Sequence, residues 1–137
     1  MPASIKNIGL MLVFFVIISS TSSCVIKNAD TPKEEQLVFT INPDPGNAII
    51  AALSRIYDFN INITSAMPPR GVYVTVKAIQ ELNNEIAYNY TGIASTSNYT
   101  TDVDVLKQGV VYYVVVEVVS IQTSSNYATK TFRIARK

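Results

Sequence analysis

Val110 to Ser120 reads VVYYVVVEVVS, with Leu106-Lys107-Gln108-Gly109 leading into it. It is the longest β-favouring run in the chain, built almost wholly from branched and aromatic side chains that suit a pleated surface. Only Glu117 interrupts it. The run therefore predicts a central strand, covered on one face and largely apolar on the other. The segments around it alternate in the same way. Leu37, Phe39 and Ile41 share one face of Gln36 to Ile41. Tyr57, Phe59, Ile61 and Ile63 point one way from Tyr57 to Thr64, while Asp58, Asn60, Asn62 and Thr64 point the other, as in a strand with one solvated face. Val72, Val74, Val76 and Ala78 face inward from Val72 to Ile79. Tyr99, Thr101, Val103 and Val105 do so from Asn98 to Val105, and Phe132 and Ile134 from Tyr127 to Ala135. Ile86 to Tyr90 reads as a short return strand and Gly92 to Ser97 as a loop. Asn42-Pro43-Asp44-Pro45-Gly46-Asn47 and Ala66-Met67-Pro68-Pro69-Arg70-Gly71 are turn signals. Ala48 to Arg55 fits either a strand or a short helix. Seven or eight short strands separated by such turns predict an all-β fold, a single antiparallel β-sandwich over residues 36–137.

Leu106-Lys107-Gln108-Gly109-Val110-Val111-Tyr112 resembles the approach to strand F in fibronectin type III and related immunoglobulin-like domains. There a Leu, a turn and a Tyr form a tyrosine corner. The resemblance covers roughly residues 98–136, and more loosely 36–90. It implies an immunoglobulin-like or fibronectin III-like sandwich in which Leu106, Gly109 and Tyr112 are structural. The Tyr112 ring would enter the core and its hydroxyl would return to the backbone near the turn. The chain has no Trp and one Cys, so the family's core tryptophan and intersheet disulfide have no counterpart.

The N-terminus reads as an address. Lys6 is the one charge before residue 24, and Ile8 to Ile18, IGLMLVFFVII, is an apolar core. It is too short to span a bilayer, which takes about 20 residues, and long enough for an export signal. Ser19-Ser20-Thr21-Ser22-Ser23 then leads to Cys24. This arrangement resembles a bacterial lipoprotein signal of the Bacteroidetes type. The resemblance implies cleavage of residues 1–23 and lipidation of Cys24 with fatty acyl chains such as palmitate. It further implies a flexible tether over 24–35 and an exported protein anchored in a bacterial membrane, at the outer membrane or periplasmic face. The alternative is an ordinary secretory signal with an incidental Cys.

Beyond the leader, ten Lys and Arg (eleven less Lys6) stand against ten Asp and Glu. A balance near zero gives no basic footprint for nucleic acid. His is absent, which removes the Ser-His-Asp triad, the Cys-His dyad and imidazole metal sites. No cofactor or metal is expected. Asp102 and Asp104 share a strand face about 7 Å apart and read as solvated surface carboxylates. Asn62, Asn89 and Asn98 head Asn-x-Ser/Thr triplets, incidental in a bacterial chain.

What remains is a surface. With the Val110 strand between the Val72 and Tyr127 strands, Tyr73, Ile79, Tyr113, Val115 and Val119 would crowd one outward face. Lys77, Glu117 and Arg133 would form a charge ladder across it. That is more apolar area than a small isolated domain usually exposes. The sequence thus predicts a non-enzymatic binding or structural module docking a protein partner. Its alternatives are a carbohydrate-binding accessory domain stacking sugars on Tyr73, Tyr90 or Tyr113, or a strand-donating subunit of a surface fibre.

Overall fold

The computed structural model describes residues 32–137; the leader expected over 1–23, Cys24 and the tether up to Thr31 lie outside the described residues. Eight strands follow: β1 Phe39–Asn42, β2 Ile49–Ala52, β3 Ile56–Ile63, β4 Val72–Gln80, β5 Ile86–Ala94, β6 Asn98–Asp104, β7 Val111–Ser120 and β8 Tyr127–Arg136. They form a three-stranded sheet, β1-β3-β6, and a five-stranded sheet, β2-β8-β7-β4-β5. Every pairing is antiparallel except that of β2 with β8. The described residues contain no helix.

The alternation in the sequence becomes the two faces of the sheets. β7 buries every second residue along its ten and lies in the middle of the five-stranded sheet. Val114, Val116 and Val118 meet Val72, Val74, Val76 and Ala78 of β4 on the inner face, all fully buried. The opposing sheet supplies Phe39, Ile41, Phe59, Ile61, Ile63 and Val103. The ring of Phe59 meets that of Phe132 edge-on across the gap, with centroids 5.6 Å apart. Burying a side chain of this size contributes about 1.5–3 kcal/mol, so the two faces together drive the stacking.

Tyr112 locks one end of the sandwich. Its ring is wholly buried. Its hydroxyl donates to the Val105 carbonyl at 3.3 Å and accepts from the Lys107 amide at 3.3 Å. Leu106 is buried beside it, and the Gly109 amide donates to the Arg136 carbonyl. The lead-in turn is thereby tied to the last strand.

A second lock sits at the opposite end of β7. Asn126, 7% exposed, accepts from the Leu37 amide at 2.8 Å and donates to the Glu35 carbonyl and to Oε2 of Glu34. Ser120 donates to Oε1 of Glu34, and Glu35 accepts from the Ala66 amide. Residues 34 and 35, expected to belong to the tether, are thus docked on the domain. Asn126→Ala removes three bonds from a buried site and should cost about 2 kcal/mol, read as a lower denaturant midpoint at unchanged slope.

The remaining elements settle one open reading and correct one boundary. Ala48 to Arg55 contains a strand, β2, whose hydrogen bonds go to β8. β8 consequently lies one strand in from the sheet edge, and carries charge at Lys130, Arg133 and Arg136. β5 runs to Ala94 rather than ending at Tyr90. Gly92 reads as a loop signal but lies within the strand, because the Tyr99 hydroxyl occupies the place where a side chain would begin.

Candidate functional site

The outer face of the five-stranded sheet can be built row by row from the register. Ile93, Tyr73, Val119 and Tyr127 lie side by side across β5, β4, β7 and β8. The next row is Thr91, Thr75, Glu117 and Thr129, followed by Asn89, Lys77, Val115 and Thr131. A fourth row holds Ile86, Ile79, Tyr113 and Arg133, with Ile49 of β2 beyond it.

All five residues predicted for this face point outward, but they do not form one patch. Two polar rows separate Tyr73 and Val119 from Ile79 and Tyr113, leaving about 20 Å between the two apolar bands at the usual strand rise. Val115 sits inside the polar belt, between Lys77 and Thr131. The charge ladder is also corrected. Lys77 faces Val115, Glu117 faces Thr75 and Thr129, and Arg133 faces Tyr113, so no two of the three charges are direct cross-strand partners.

Arg133 pairs instead with Glu81, at 2.7 Å. The Tyr113 hydroxyl donates to the same carboxylate at 3.1 Å, and the Arg133 guanidinium lies 5.7 Å from the centre of the Tyr113 ring. These contacts engage Tyr113 and Arg133 within the chain, while Ile86 and Ile49 of the same band remain exposed. The hydrogen bond from Arg133, supported by that from Tyr113, holds the Glu81 carboxyl below the usual carboxylate range, against a smaller opposing effect of desolvation. A lowered acid pKa stabilises the fold above the ordinary carboxylate range and loses that contribution as pH falls through the shifted value. Wild type and Glu81→Gln should therefore converge in thermal midpoint as pH is lowered through this window, the wild type being the more stable above it.

The upper row has no charged member. Ile93 is 63% exposed, Tyr127 55% and Tyr73 41%. Ile93 and Tyr127 were not among the residues singled out in the sequence. The first lay beyond the predicted end of its strand, and the second at the first position of its own. Extending the alternation from Tyr88 through Gly92 would have found Ile93. Nothing among the described residues covers the row: β2 extends the sheet sideways, and Glu34 and Glu35 bind turns at its end.

The carboxylates considered for chemistry are each engaged separately. Asp104 pairs with Arg55 at 2.9 Å. Asp102 accepts from the Tyr88 hydroxyl at 2.9 Å, and burial together with this bond pushes the Tyr88 phenol up to about 12. Among the described residues, no three His, Cys, Asp or Glu side chains converge as metal ligands would. Comparison with known proteins finds no family model and no curated protein that matches the chain.

Proposed function

We infer that this chain is a non-enzymatic, lipid-anchored envelope protein whose β-sandwich docks a protein partner on the row Ile93–Tyr73–Val119–Tyr127. The observation that carries the reading is that row: four apolar or aromatic side chains in register across four strands, three of them exposed and Val119 half-buried, with a threonine-rich row beside it. Apolar anchors bordered by polar groups are the usual composition of a protein interface. A protein suits the row better than a glycan. Val119 separates the two tyrosines, so no pair of neighbouring rings clamps a sugar, and the face is a sheet surface rather than a cleft. Attachment rests on the leader and on Cys24, which by this reading carries the acyl chains. A chain span of about 35 Å at most then lies between the lipid and Glu34.

Two experiments test this. Mass spectrometry of the N-terminal peptide should find a chain beginning at acylated Cys24; a peptide retaining Ser22-Ser23 before an unmodified thiol would refute the anchor. In native extracts of the source envelope, tagged full-length protein should retain a partner that the double variant Tyr73→Ser, Ile93→Ser loses and Leu82→Ser keeps. Leu82 is the control because it is 95% exposed and lies off the row. Retention by the double variant would place docking elsewhere.

A further inference from the structure

We propose that β5 is a self-pairing edge, joining two copies of this chain into a closed dimer with one continuous ten-stranded sheet. A sheet edge is an open ladder of backbone donors and acceptors, and stable proteins usually blunt it with short length, charge or proline. Three of the four edges here are blunted in this way. β1 and β2 have four residues each, β1 is followed at once by Pro43, and β6 carries Asp102 and Asp104. β5 is different. Its nine residues, IAYNYTGIA, contain no charge and no proline, and its only strand partner is β4.

The composition of β5 favours a second copy as the occupant. A register irregularity near Ala87 ends the regular ladder, leaving Tyr88 to Ala94 as seven regular residues. A two-fold axis at Thr91 pairs all seven with their own copies. Tyr88 then faces Ala94 and Tyr90 faces Gly92 on the inner side, where the Tyr88 and Tyr90 hydroxyls stay bonded to Asp102 and Tyr99 of their own chain and the Tyr99 hydroxyl already fills the space over Gly92. On the outer side Thr91 faces Thr91 and Asn89 faces Ile93. Threonine pairs are favourable across antiparallel strands, and no like charges meet. The pairing is isologous and consumes the edge, so it closes at two copies instead of growing into a fibre. It also leaves the Ile93–Tyr73–Val119–Tyr127 row on the outer face, so the dimer would present that row twice. The proposal does not depend on the row binding anything.

Sedimentation equilibrium of the full-length chain in density-matched detergent should give twice the monomer mass at micromolar concentration. Thr91→Glu sets two carboxylates against each other at the axis and costs the monomer only the 2.9 Å hydroxyl bond to Thr75. It should return the monomer mass with an unchanged circular dichroism spectrum, while Leu82→Glu stays dimeric. Amide exchange offers a readout without substitution: Tyr88 to Ala94 should lose protection on dilution through the dissociation range. A wild type that is monomeric throughout, a Thr91→Glu variant that folds and remains dimeric, or open-ended polymers would each overturn the proposal.

Discussion

Replacing Tyr112 by Ala should lower the stability of the domain by about 4 kcal/mol, the cost typical of deleting a fully buried aromatic ring. Replacing it by Phe should cost about 1.5 kcal/mol. The two numbers separate two contributions of one residue. The Ala variant opens a cavity in the wall shared by β4, β7 and β8, beside Leu106 and Ile134, which are as deeply buried as the ring. The Phe variant keeps the ring and leaves the Lys107 amide and the Val105 carbonyl without their side-chain partner, a loss on the scale of an unmade buried hydrogen bond. Domains of this size are stable by only about 5–15 kcal/mol. Tyr112→Ala should therefore forfeit between a quarter and most of the domain's stability, and Tyr112→Phe much less. Denaturant titration of both variants checks the ordering. Equal losses would mean that the ring is dispensable and the turn alone carries the effect.

Gly71→Ala is the second large effect, expected at about 3 kcal/mol. Gly71 has φ of +81°, which disfavours any side chain, and a Cβ there would lie 2.6 Å from the Ala94 carbonyl oxygen. Backbone cannot yield as a side chain can. Gly71 donates to Pro68 and accepts from Ile121, and Ala94 is fixed opposite Val72, so relief requires β4 and β5 to separate at that end. A left-handed conformation alone costs about 1–3 kcal/mol for a residue with a side chain, and the collision adds to it. Gly92→Ala makes the useful contrast. There the obstacle is the hydroxyl end of Tyr99, which a ring rotation can remove, so the loss should be smaller. A Gly71→Ala variant as stable as wild type would show that the turn from Pro68 to Gly71 is free to adopt another path.

The sandwich was legible in the sequence because period-two alternation is a direct image of a sheet with one buried face. From Tyr57 to Ile63 and from Val72 to Ala78 the expected inward residues are those that pack the core. The Tyr112 corner was legible for a different reason: a Leu, a turn and a Tyr at fixed spacing report a local geometry that needs no long-range information. The surface was less legible. Alternation assigns a residue to a face but not to a row, and rows depend on how strands slide past one another. Lys77, Glu117 and Arg133 were rightly assigned to one face and wrongly assumed to be adjacent. The irregularity near Ala87 and the burial of the Tyr99 hydroxyl against Gly92 are both long-range events, and they hid the length of β5 and with it Ile93. The docking of Glu34 and Glu35 on Asn126, Ser120 and Ala66 links residues up to 92 apart in sequence, and no local pattern announces it.

By this reading the Tyr73 row meets another protein while the far end of the face does not. A photocrosslinking residue placed at Tyr73 in the full-length protein, and separately at Leu82, tests it in living cells of the source organism. An adduct of one distinct protein is expected at position 73, formed in much higher yield than at position 82. No adduct at 73, or equal yields at both positions, would contradict it.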